Sequence, residues 1–88
     1  MNFTVSPTNN IHKHIAGYIR IERLKMGYSQ EYLSLQLGIS QNAYSRIERG
    51  VTKLDIERLL EIIILLKMDV DALLSSVFHE YSIDRLVP

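Results

Sequence analysis

Apolar positions along this chain recur at helical spacing, and short clusters of Gly, Ser and Asp interrupt them. From about Asn10 to Met26, the residues Ile11, Ile15, Tyr18, Ile19 and Met26 give a core-facing stripe, and Gly27 ends it. The stretch from Ser29 to Gly50 then encodes two short helices joined by a tight turn. Ser29 and Ser40 are each placed as an N-cap, with a hydroxyl that can accept an orphan amide of the first turn. Gly38 supplies the backbone geometry between the helices, and Gly50 stops the second one. A fourth helix opens at Asp55 and continues to about Leu66, and a fifth, capped by Asp69, runs to about Ser76. The expected architecture is all-α, with five helices and short connections over residues 10–76. The ends are read as extensions: a flexible arm over 1–9, and a tail over 77–88 whose partial alternation suggests an added strand or a dimerisation arm.

The informative question is which side chains the third helix leaves free. At about 100° per residue, Ala43, Tyr44 and Ile47 cluster on one side, and Gln41, Asn42, Ser45, Arg46 and Arg49 fall on the opposite arc. Gln and Asn can each present a paired donor and acceptor to adenine, and Arg can reach two acceptors on guanine. The arc therefore carries the chemistry needed to read base edges in a major groove. A solvated polar face is the bland alternative, and the caps and turn around the helix count against it.

Residues from about Ile15 to Leu74, roughly two thirds of the chain, resemble the DNA-binding domain of the phage repressor and Cro family, the XRE-type regulators. The resemblance rests on Gly27-Tyr28-Ser29-Gln30-Glu31, Leu37-Gly38-Ile39-Ser40-Gln41 and Ser45-Arg46-Ile47-Glu48-Arg49-Gly50, in the family's order and spacing. It implies a repressor-like DNA-binding domain in which Gln41, Asn42, Ser45 and Arg46 face bases. It also implies that Gln30 touches a phosphate and braces Gln41, and that Arg49, Thr52 and Lys53 hold the backbone. Arg23 and Glu48 match positions that form a structural ion pair in many family members. Lys67 departs from the pattern, since Gly is frequent there, so the turn between helices 4 and 5 is expected to differ.

Composition adjusts this picture. Eighty-eight residues allow one core, and the absence of Cys removes disulfides and thiolate metal sites as supports. The zero net charge is unusual for a nucleic-acid binder, but its distribution is uneven. Lys13, Arg20, Arg23, Lys25, Arg46 and Arg49 outnumber Glu22, Glu31 and Glu48, so residues 1–50 carry +3 and residues 51–88 carry −3. A positive half facing phosphates still steers binding, with modest affinity and a shallow salt dependence expected. No apolar run approaches a membrane span, and Met1 to Pro7 lacks the features of a signal peptide, so a cytoplasmic bacterial or phage protein is expected.

The fourth helix adds a second clue. Ile56, Leu59, Leu60, Ile62, Ile63 and Leu66 read as its buried face, which leaves Ile64 and Leu65 as apolar surplus. They predict a two-fold homodimer interface formed by Ile64, Leu65, Val77 and Phe78, spacing two recognition helices by ~34 Å. Folding back of the tail over Ile64 and Leu65 is the alternative. His12 and His14 point to different helix faces and His79 is remote, so no metal site is expected, nor any other cofactor. No catalytic residues are recognised: there is no nucleophile, base and orienter set and no phosphate loop, so an enzyme is not expected. These features together predict a sequence-specific transcriptional regulator, a repressor or autoregulator, that binds an inverted-repeat operator in double-stranded DNA. Its size suits a restriction-modification controller or an antitoxin-like protein. The rival is an interaction module that turns its acidic, apolar C-terminal half toward a toxin or polymerase subunit.

Overall fold

Five helices and no strand make up the described residues: α1 Pro7–Met26, α2 Gln30–Leu37, α3 Gln41–Glu48, α4 Ile56–Leu66 and α5 Val70–Leu86. The structure is a computed structural model that describes the backbone of residues 7–86 and the side-chain surroundings of residues 11–80. α1 packs against α3, α4 and α5, while α2 packs against α3 and α4. One core draws on every helix: Ile19, Leu33, Tyr44, Ile47, Ile62, Leu66 and Leu73, with Met68 from the last turn. Fully burying an aliphatic side chain of this kind contributes about 1.5–3 kcal/mol.

The first four helices stop in the same way. The amides of Gly27, Gly38, Gly50 and Lys67 bond the carbonyls of Leu24, Leu35, Ile47 and Ile64. The amides of Tyr28, Ile39, Val51 and Met68 reach back to Arg23, Ser34, Arg46 and Ile63. This paired pattern is the Schellman stop, and it needs a left-handed residue just past the helix. Three of the four are glycines at φ 71° to 77°, and the fourth is Lys67 at φ 52°. The turn after α4 therefore does not differ from the others, contrary to expectation. Lys67 accepts the left-handed conformation, which costs a non-glycine residue roughly 1–2 kcal/mol.

Two boundaries move. α1 begins at Pro7 rather than near Asn10, and proline suits a first helical position because its missing amide has no partner there in any case. The N-terminal arm expected over 1–9 thus loses residues 7–9 to α1, and residues 1–6 lie outside the described part. α5 runs to Leu86 instead of ending near Ser76, so the tail is helical from Val77 to Leu86 and adds no strand there, and residues 87–88 lie outside the described part. Leu73 and Val77, four apart, both face the core, and α5 lies along α1. That packing outweighs the partial alternation of the tail. A hydrogen bond of 2.6 Å between His14 Nε2 and Ser76 Oγ ties the two helices together.

Candidate nucleic-acid interface

α2 and α3 are held as a unit by local chemistry. Ser29 Oγ accepts from the Tyr32 amide at 3.0 Å, and Ser40 Oγ accepts from the Ala43 amide at 3.0 Å, as their positions predict. Asp55 and Asp69 cap α4 and α5 in the same way. Arg58 Nη1 donates to the Leu37 carbonyl at 3.3 Å, so α4 caps the end of α2 with a positive charge. Tyr44 and Ile47 anchor α3 in the core.

Beneath α3 lies a polar hub centred on Glu48. Arg23 Nε donates to Glu48 Oε2 at 2.6 Å, and Arg23 Nη2 donates to Oε1 at 3.0 Å. Tyr44 Oη donates to Oε2 at 2.5 Å, and Gln30 Nε2 to Oε1 at 3.0 Å. Arg23 Nη1 also reaches the Tyr28 carbonyl at 2.8 Å, so α1, α2 and α3 share one network. Burial by itself would raise the Glu48 carboxyl, but hydrogen bonds from Arg23, Tyr44 and Gln30, with the Arg23 charge, outweigh it and hold the group below its ordinary range. Burial, then the bond to Glu48, pushes the Tyr44 phenol up. The bond to Glu48 raises Arg23 against the opposing effect of desolvation.

The hub changes one assignment. Gln30 does not brace Gln41: the hydrogen bond its amide makes goes to Glu48, because that carboxylate offers a charged acceptor. The Arg23–Glu48 pair is present as the resemblance implies. By helical spacing alone Tyr44 reads only as an apolar core residue. The signal for its polar role was its position four residues before Glu48, on the same helical face.

The outer arc of α3 is open. Gln41, Asn42, Arg46 and Arg49 are exposed, and Ser45 is half-buried. Arg46 Nε lies 3.5 Å from Thr52 Oγ1, a long contact that brings the turn after α3 toward the arc. Lys53 in that turn is exposed, and Thr52 and Gln30 are half-buried. The proposed dimer residues divide into two pairs. Ile64 and Phe78 are exposed, at 73% and 61%, whereas Leu65 and Val77 pack against the core. Ile56 and Leu60, read as buried, are exposed at 73% and 51%. The six-residue apolar face assigned to α4 is wider than the neighbouring helices can cover, and the core takes only the side around Ile62 and Leu66.

Two capped helices crossing at a glycine turn, with an open polar and cationic arc on the second, define a helix-turn-helix DNA-binding regulator. The chain belongs to the HTH_3 helix-turn-helix family, the XRE type, which it matches over residues 19–73, more than half its length. It has no significant match among curated proteins or solved structures. Among the described residues, no helix is long and apolar enough to cross a membrane.

Proposed function

We infer that the chain is a transcriptional repressor or autoregulator that binds an inverted-repeat operator as a homodimer. The observation that carries this reading is the open arc of Gln41, Asn42 and Arg46 on a helix fixed from below by the Glu48 hub. In this reading Gln41, Asn42, Ser45 and Arg46 meet base edges, and Gln30, Arg49, Thr52 and Lys53 meet phosphates. Gln30 reaches a phosphate while it stays bonded to Glu48, since its amide has a second N–H. The homodimer joins through the exposed ridges Ile56, Leu60, Ile64 on α4 and Val70, Leu74, Phe78 on α5, each spaced four residues apart.

Selection of random duplex DNA by the purified chain tests the reading, and a two-fold symmetric consensus is the expected product. Arg46→Ala is expected to weaken binding to that consensus by ~1–3 kcal/mol and to relax the preference at one base pair. Unchanged affinity and preference would remove Arg46 from base reading. A second reading is favoured by the acidic setting of the α4 ridge, where Glu57 and Glu61 lie exposed beside Leu60. There the same fold serves as a module for a protein partner, such as a toxin or a polymerase subunit, and random DNA yields no consensus.

A further inference from the structure

Resting on the DNA-binding reading, we propose that His12 and Lys13 of α1 join Lys53 in a clamp for one backbone phosphate, at the edge of the half-site beyond the bases that α3 meets. The clamp begins with Gly50. A Cβ at Gly50 would sit 3.0 Å from Lys13 Cγ and 3.3 Å from Lys13 Cα, so the backbone of α1 presses directly against the stop of α3. The stem of Lys13 is thereby laid over the end of the recognition helix. Its charged end opens into a surface concavity lined by His12, Lys13, Gly50, Val51 and Lys53.

Two lysines and a histidine line it together, and no carboxylate is among the lining residues. Elsewhere Lys25 pairs with Glu22 and Arg58 with Glu61, while the exposed Arg20, Arg46, Arg49 and Lys67 form no such pair among the described residues. Among the described residues neither Lys13 nor Lys53 forms such a pair. A concave surface lined with one sign of charge focuses potential and draws in a counter-ion. The concavity also lies in the right place for DNA, because the intervening Thr52 sits beside Arg46 of the base-facing arc. A phosphodiester suits two lysines that act as point charges, with an imidazole N–H as a third donor. Charge from α1 would then position the protein along the duplex without reading sequence.

The test compares wild-type protein with Lys13→Met, which keeps the stem on Gly50 and removes the charge, using the selected duplex across a range of salt. One lost phosphate contact lowers the slope of log K against log salt by about 0.9, so Lys13→Met should show that decrease with its base preference intact. A parallel scan replaces each phosphate of the duplex in turn by an uncharged methylphosphonate. Wild type should lose affinity at one phosphate outside the selected bases, and Lys13→Met should lose less at that phosphate, because Lys53 and His12 still face it. An unchanged slope, or a wild-type scan with no sensitive phosphate outside those bases, overturns the clamp while leaving the regulator reading intact. Capture of free phosphate by the site would leave the scan equally silent. If Lys13→Met fails to fold, the wild-type scan alone still decides. Wild type that selects no DNA sequence overturns both proposals together.

Discussion

The two halves of this domain are held by different physics. α1, α2 and α3 meet around a charged hub in which Arg23, Gln30 and Tyr44 all donate to Glu48. α4 and α5 contribute aliphatic side chains, Ile62, Leu66 and Leu73, to the shared core and leave apolar ridges outside. Hydrogen bonds are directional and dispersion is not. The hub therefore fixes the orientation of α3, whereas the C-terminal half mainly supplies burial and leaves apolar ridges exposed. Precise aim and adaptable contact are assigned to separate ends of one small chain.

The largest expected effect comes from breaking the hub. Glu48→Ala leaves the Arg23 guanidinium and the Tyr44 hydroxyl buried without their acceptor, and should cost ~3–5 kcal/mol in denaturant unfolding. Against a total stability of about 5–15 kcal/mol for a domain, that change can unfold the chain. A loss below about 1 kcal/mol would show that apolar burial, not the hub, holds this half. Acid gives a second reading of the same contact. A carboxyl held low in the fold contributes fully above its unfolded pKa, about 4.3, and the contribution is lost as pH falls through the lower folded value. Wild-type stability should fall through that window.

Next in size is the apolar half. Ile64→Asp alters an exposed position, so stability should change by only about 0.5 kcal/mol. If the ridges join two copies, sedimentation should give a monomer and operator affinity should drop by roughly 100-fold, as linked binding is lost. A mass still equal to that of a dimer would exclude Ile64 from the seam. Leu65 is a poorer probe, because it packs against the core and its loss would confuse folding with association. The smallest effect is at the junction of α4 and α5. Lys67→Gly relieves a left-handed non-glycine residue and should raise the denaturation midpoint by the equivalent of ~0.5–1 kcal/mol, an increase that would be absent if Lys67 adopted another conformation.

Helix number, the caps at Ser29, Ser40, Asp55 and Asp69, and the open arc of α3 were legible because each depends on residues within one turn of one another. What escaped the sequence depends on neighbours distant along the chain. The helical continuation from Val77 follows from the surface that α1 presents to α5, including the His14 to Ser76 bond, and periodicity within the tail does not contain it. Ile56 and Leu60 likewise stay exposed because the core takes only the side of α4 around Ile62 and Leu66. Gln30 was assigned to Gln41 by resemblance, and a strong acceptor eighteen residues away at Glu48 takes its amide instead. At Lys67 the local stop, closed by the amides of Lys67 and Met68, holds in a glycine conformation a residue that does not favour it.

The shared manner in which the first four helices stop has a consequence in time. Each stop is closed by bonds spanning three and five residues, so the chain's reversals are specified locally before distant surfaces meet. Helical domains dominated by such near-neighbour contacts fold within microseconds to milliseconds. Synthesis at about 5–20 residues per second is far slower than that. A helical domain of this kind is therefore folded almost as soon as its last helix has been made, so folding adds little to the time that synthesis takes.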